Sequence, residues 1–199
     1  MRIVMARPRT PGADTAIVEA TQELLLEQGY GRVSVEGVAA RAGVAKTTVY
    51  RRWPSKAELV FEAAIHHSRL GPPPDTGSLA GDLAAVAAII VRSLSRPVAA
   101  AALPGLIADL RRDQALRDRV VDRFIGAERA WVATIVDRAC SRGEVARSAD
   151  PDLVLDLLVG PVFSRIFLTG RTASREFGER LAAVVGRGLA RDVNREENQ

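Results

Sequence analysis

A chain of 199 residues, 47% apolar and 26% charged, has the size and balance of one globular domain, or of a small module joined to a larger one, and not of a disordered tail. Its longest apolar runs, around LAAVAAIIV at 83–91 and LVLDLLVGPVF at 153–163, are too short or too interrupted to span a bilayer, which argues against a membrane partner. A formal charge of +4 and a pI near 9.9 suit a polyanionic partner, and the distribution is more telling: both lysines, Lys46 and Lys56, lie with Arg51 and Arg52 in a stretch where no acid falls between 46 and 56.

The opening MRIVMARPRTPGAD carries basic side chains but neither a continuous apolar segment nor a cleavage pattern, so the expected compartment is the cytoplasm. Residues 1–13 read as a flexible basic arm, in which Arg2, Arg7 and Arg9 either reach a groove or stay solvated. Over 14–28, Ile17, Thr21, Leu24, Leu25 and Gln28 fall along one helical stripe, with Asp14 as N-cap and Gly29 as the stop. A second short helix starts after Ser34, carries Val35, Val38, Ala39 and Ala42, and ends at Gly43. A third begins near Lys46 and is blocked by Pro54 after Trp53. SKAE at 55–58 is a capping box, Ser55 to the backbone and Glu58 back, opening a fourth helix to about Arg69.

The breaker cluster GPPPDTGS at 71–78 is a stiff connection between a domain at 14–70 and a larger one at 79–191. Helices are predicted beyond it at 78–95, at 98–112 with a disturbance at Pro104, and at 114–142. Two more follow at 151–169, opened by Asp150 and Pro151, and at 175–191, capped by Ser174. Residues 192–199 should fray. No segment shows sustained period-two alternation, so the predicted fold class is all-α.

GVAARAGVAKTTVYRRWPSKAEL, at 37–59, has the Gly, Lys and Thr of a phosphate-holding loop. A nucleotide P-loop needs Lys directly after its second Gly, at a strand-to-helix turn. Here Val44 and Ala45 separate Gly43 from Lys46, and the preceding residues are helical. Two short helices joined by a tight Gly turn instead make a helix-turn-helix, whose second helix enters the DNA major groove. In helical register Val49 and Trp53 point inward with Val38 and Val44, leaving Lys46, Thr47, Thr48, Tyr50 and Arg51 on the outer face. Hydroxyls, cations and free helix-start N–H groups suit phosphate oxygens and base edges.

In VSVEGVAARAGVAKTTVYRRWPSKAELV, from Val33 to Val60, an Ala-Gly-Val turn, Thr-Val-Tyr, the aromatic Trp53 and Ser-Lys-x-Glu-Leu hold fixed distances at once. This stretch resembles the TetR family of bacterial transcriptional regulators. The first 60 or so residues carry the resemblance, and RGEV…DPDLVLDLLVGPVFSRIFLTG at 142–170 looks like one group of such regulators. It implies that Thr47, Thr48 and Tyr50 touch DNA, with Lys46 and Arg51 as candidates for base edges. It further implies that Lys56 and Ser34 grip phosphates at helix starts and that Arg52 contacts the backbone. The bland alternatives are a surface lysine at 56 and a solvated arginine at 52.

One short recognition helix reads few base pairs, so such modules work as dimers on half-sites about 34–36 Å apart. Apolar residues run nearly all round 153–168, including Leu153, Leu157, Phe163 and Phe167, and Phe177, Leu181, Val184 and Val185 stripe the last helix. With Gly160 and Gly188 allowing close approach, these two helices are the expected homodimer surface, the alternative being an ordinary internal core. The resemblance also implies a small-molecule effector held by the second part. Candidate contacts are Ile107, Leu110, Phe124, Trp131 and Phe163, with Glu128 and Arg165 as polar anchors; plain core or surface is the competing reading for each. No cofactor and no metal site is predicted: adjacent His66 and His67 point about 100° apart, and the lone Cys140 reads as a packing residue. No G-x-S-x-G, H-E-x-x-H, dinucleotide fingerprint or Cys–His pairing supports an enzyme. A DNA-binding architectural protein without an effector is the other reading.

Overall fold

The computed structural model describes residues 11–66, 71–145 and 149–190. The expected basic arm with Arg2, Arg7 and Arg9, residue His67, the last residues assigned to the fourth helix, and the tail lie outside them, apart from 11–13 of the arm. The elements run α1 (Pro11–Arg32), α2 (Val35–Arg41), α3 (Lys46–Tyr50), α4 (Lys56–Ala64), α5 (Leu79–Leu94), α6 (Pro97–Arg112), α7 (Gln114–Val120), a π turn (Val121–Ile125), α8 (Gly126–Ser141), α9 (Pro151–Phe163), a second π turn (Ser164–Leu168) and α10 (Arg175–Leu189). Among the described residues there is no strand, only one isolated antiparallel bridge between Val145 and Ala190. The fold is all-α.

Several expected boundaries move for physical reasons. Helix α1 begins before Asp14, so this residue is not the N-cap; it sits in the first turn, where a carboxylate favours the helix dipole. Gly29 does break α1, at φ +73°, but a short helical piece continues to Arg32. Helix α4 ends at Ala64, where the Gln22 amide of α1 donates to the Ala63 carbonyl at 2.8 Å. The predicted helix at 114–142 starts where expected, capped by Asp113, a cap the sequence reading did not name, but is interrupted by the first π turn, and neither Gly nor Pro within Val121–Ile125 announces it. Helix α6 runs on through Pro104.

Three of the five stripe residues of α1 are fully or nearly buried aliphatics, Ile17, Leu24 and Leu25, and Thr21 is buried too, its hydroxyl donating to the Ile17 carbonyl at 2.7 Å. Gln28, at the end of the stripe, is exposed. The aliphatics join Val38, Val49, Trp53 and Leu59 in a core that continues through Leu103, Leu106, Leu116 and Phe124. The N-terminal helices and α6–α7 therefore share one apolar interior. A second cluster joins α5, α8, α9 and α10 around Leu83, Ile135, Leu158 and Val185, with Cys140 packed against it. The connection at 71–78 is strapped down: the Trp131 indole donates to the Gly71 carbonyl at 3.0 Å, Arg138 to Pro74 at 3.1 Å, and the Thr76 N–H to buried Asp82 at 2.6 Å. Among the described residues no single helix is long and apolar enough to cross a membrane.

Helix α1 lies so close to α6 that the Tyr30 ring rests on the Gly105 backbone. A Cβ at Gly105 would stand 2.3 Å from Tyr30 Cδ1, a separation that forces the ring to move. The Tyr30 hydroxyl donates to Asp109 at 2.5 Å on the same face. Gly105→Ala should therefore cost about 1–3 kcal/mol of stability in urea unfolding, and an unchanged midpoint would contradict this packing.

Candidate nucleic-acid interface

The turn between α2 and α3 is made by the backbone. Gly43 takes φ +65°, a left-handed conformation that side chains resist, and closes α2 with two bonds, Gly43 N–H to Ala40 at 3.3 Å and Val44 N–H to Ala39 at 3.0 Å. Two residues on, α3 starts with no side chain capping it. Val49 and Trp53 anchor its inner face, at 0% and 2% exposure. Thr47, Tyr50, Arg51 and Arg52 are exposed and Thr48 half-buried, so the predicted polar face turns outward over a fixed apolar footing.

The charged groups do not stand free. Lys46 is held by an ion pair with Glu36 of α2, and its ammonium lies 5.4 Å from the Tyr50 ring centre. That bond holds the Lys46 ammonium above its ordinary pKa and the Glu36 carboxyl below its own. The Arg52 guanidinium pairs with Asp14, the residue misread as a cap. Ser34 caps α2, its oxygen accepting from Gly37 N–H at 3.1 Å, which leaves its proton available to an outside acceptor. Lys56 opens α4 half-buried, with its ammonium 4.2 Å from the Tyr30 ring centre; burial pushes its pKa down, and the charge of Asp109 partly offsets this.

A network that sequence reasoning missed stands behind α3. Glu58 was expected to return to the backbone as half of a capping box. Ser55 does cap α4, accepting from Glu58 N–H at 3.2 Å, but the Glu58 side chain is only 2% exposed and faces Arg119 at 3.2 Å and Arg123 at 3.5 Å. Arg123 also donates to the Arg52 carbonyl at 2.8 Å and approaches Glu62 at 3.4 Å. Glu62 in turn accepts from the Trp53 indole at 2.7 Å. The signal was present: Arg119 and Arg123 stand four apart, and Glu58 and Glu62 stand four apart in an α4 that is apolar after Lys56 but for these two, a spacing that puts each pair on one helix face.

The predicted effector contacts separate into different surroundings. Phe124 is core, 3% exposed and stacked on Phe61 at 5.0 Å. Ile107, Leu110 and Phe163 are half-buried against the same core. Glu128 lies 3.5 Å from His66 Nδ1, and Trp131 straps the connection. Arg165 is elsewhere: it covers the Phe177 ring at 4.4 Å and lines an open concavity of about 510 Å³ between α9 and α10. Among the described residues no group of three or more His, Cys, Asp or Glu is placed to hold a metal.

Of the predicted dimer residues, Leu153, Leu157 and Val184 are exposed at 52%, 44% and 58%. Gly160 and Gly188 are exposed beside them, with open space where a Cβ would stand. Phe167, Phe177 and Leu181 are half-buried against the first core. Val185 is a correction: it is 5% exposed inside the second core, because α10 packs mainly along α5 and turns that residue inward.

Removing Glu36 should free Lys46. Glu36→Gln is expected to tighten DNA binding by about threefold, the worth of removing one exposed ion pair and a nearby anion, measured by titration of a labelled duplex. Because the Glu36 pKa is lowered, the pair survives through the ordinary glutamate range and is lost only as pH falls through the lowered value. Acidification should therefore reproduce the effect in the wild type and not in the variant; equal responses would contradict it.

Residues 17–63 match the family model described as bacterial regulatory proteins, tetR family, and residues 73–185 match the tetracyclin repressor-like C-terminal domain. An HTH-type transcriptional regulator of Mycobacterium tuberculosis strain H37Rv is 35% identical over 85% of this chain and 86% of its own. The DNA-binding transcriptional repressor TetR of Mycobacteroides abscessus is 31% identical over 84% of this chain and 87% of its own. The crystal structure of the TetR family transcription regulator SCO0332 superposes with a TM-score of 0.70 at 27% identity, covering 90% of this chain and 100% of that one. With its helix-turn-helix matched at one end and its helical body at the other, the chain belongs to the TetR family of DNA-binding transcriptional regulators.

Proposed function

We propose that this regulator is a repressor that occupies an inverted-repeat operator as a homodimer and leaves it when a small molecule binds the body. The observation that carries the reading is α3 with the turn that follows it, an outward row of Thr47, Tyr50 and the C-cap Arg51 over buried Val49 and Trp53. Side chains so fixed enter a groove without first paying to be ordered. Lys46, Ser34 and Lys56 stand at three helix starts around it, where a phosphate is attracted both by cations and by N–H groups. Residues 14–70 are the DNA-binding domain on this reading, 71–78 the connection and 79–191 the effector-binding and dimerisation domain.

Dimerisation is supported by the outer face of α9 and α10. Leu153, Leu157 and Val184 are large aliphatic side chains left in water at 44–58% exposure, and covering such a patch removes apolar surface from solvent. The glycines between them leave room for a partner helix. Repression is supported by the Mycobacteroides abscessus relative, itself named a repressor. The half-buried Ile107, Leu110 and Phe163, packed on the core that also holds α4, are where an apolar effector would bias the head. The activity proposed is binding, with no catalytic step.

Tyr50→Ala and Lys56→Ala should each weaken operator binding about tenfold or more, the scale of one lost specific contact, while sedimentation still shows a dimer. Leu157→Asp with Val184→Asp should give a folded monomer by sedimentation with the same helical signal. Operator affinity unchanged in the first pair, or a persistent dimer in the second, would refute the corresponding half of the proposal.

A further inference from the structure

Arg123 is the one described body residue whose side chain bonds the segment that follows the recognition helix. It rides on the π turn Val121–Ile125, donates to the carbonyl of Arg52 at 2.8 Å, and lies 3.5 Å from Glu58 and 3.4 Å from Glu62. Arg52 stands two residues past the end of α3, between its C-cap and Trp53. Glu62 holds the Trp53 indole at 2.7 Å, so the same guanidinium reaches α3 by two routes, once through backbone and once through a carboxylate. Phe124, the next residue of the turn, stacks on Phe61 of α4 at 5.0 Å, and Arg123 covers the Phe124 ring at 5.0 Å. Nothing comparable holds Arg119, whose described contact in this cluster is with Glu58 alone.

We infer that Arg123 is a positioning residue for operator recognition: from the body, it fixes the carboxyl end of α3 and so sets where Thr47, Tyr50 and Arg51 are presented. A π turn carries one residue more than an α-helical turn. Its conversion to regular helix rotates the flanking residues by about 100° relative to each other. A change of state in the body that regularised this turn would withdraw Arg123 from Arg52 and release α3 without moving its apolar anchors. The inference rests on the proposed DNA-binding role of α3, but the holding contact is a property of the protein alone.

The test compares Arg123→Met with Arg119→Met in the full chain, by amide hydrogen exchange without DNA and by titration of duplex fragments selected by the wild type from its own genome. Arg123→Met should exchange about tenfold or more faster at the amides of Arg51, Arg52 and Trp53, which bond Thr47 and Val49. It should bind the selected fragments about tenfold more weakly, with its log-log salt slope unchanged because it neutralises no phosphate. Arg119→Met, which also strips a cation from buried Glu58, should lower the melting temperature but leave exchange at 51–53 and fragment affinity much closer to the wild type than Arg123→Met does, because Arg119 bonds neither Arg52 nor Glu62. Should the methionine variant fail to fold, Arg123→Lys keeps the charge beside Glu58 and Glu62 but offers a point charge in place of a planar fork, and it should show the same exchange defect at the wild-type melting temperature. Unchanged exchange at 51–53, an equal defect in Arg119→Met, or a salt slope lowered by about 0.9 would overturn the inference, the last by making Arg123 a direct phosphate contact. A wild type that selects no fragment would refute the operator reading, and exchange alone would then decide Arg123.

Discussion

A buried carboxylate governs this architecture. Glu58 is 2% exposed, and an ionised carboxyl removed from water is tolerated only with cations and hydrogen bonds around it. Its partners are Arg119 and Arg123 of the α7 and π-turn segment, together with the Ser55 hydroxyl at 3.2 Å. Separating α4 from that segment would strand the charge, so the two must keep register. Since α4 follows α3 after a turn held by Trp53 and Ser55, the register of a body helix becomes the position of the recognition helix. The Tyr30–Asp109 bond and the Tyr30–Gly105 contact fix the other side of the same junction, between α1 and α6.

This construction reconciles two demands on a regulator. The DNA-reading face must be rigid, and Val49 and Trp53 supply that by packing into an interior shared with α6 and α7. On the proposed function it also responds to the body, and the Arg123–Glu58–Glu62 network links the two. Directional bonds are made or lost over small displacements. The second core, around Leu83, Ile135 and Leu158, backs the α9–α10 face proposed to pair two copies, and Ile90, Ile125 and Leu181 pack against both interiors.

Much of this was legible from residue order. The caps at Ser34, Ser55, Asp150 and Ser174 are where the sequence puts them, because an N-cap is a local bargain between one side chain and the next turn. The outward face of α3 and the burial of Val49 and Trp53 follow from helical periodicity. What escaped was tertiary. Glu58 was read by its local partner, yet its side chain also answers to Arg119 and Arg123, more than sixty positions away. The π turn carries no breaker residue and is visible only once Phe124 and Arg123 are both seen to face α4. Val185 looked like part of an outer stripe because a repeat of 3.6 names a face without saying which neighbour claims it, and α5 claims that one.

The central claim, that α3 of two copies reads one operator, is tested most directly by footprinting the purified protein on its own upstream DNA across a salt series. The account predicts protection of an inverted repeat with half-sites about 34–36 Å apart, and an affinity that falls on a log-log salt plot by about 0.9 per phosphate neutralised. Protection of a single half-site, or binding without sequence preference at every salt concentration, would contradict it.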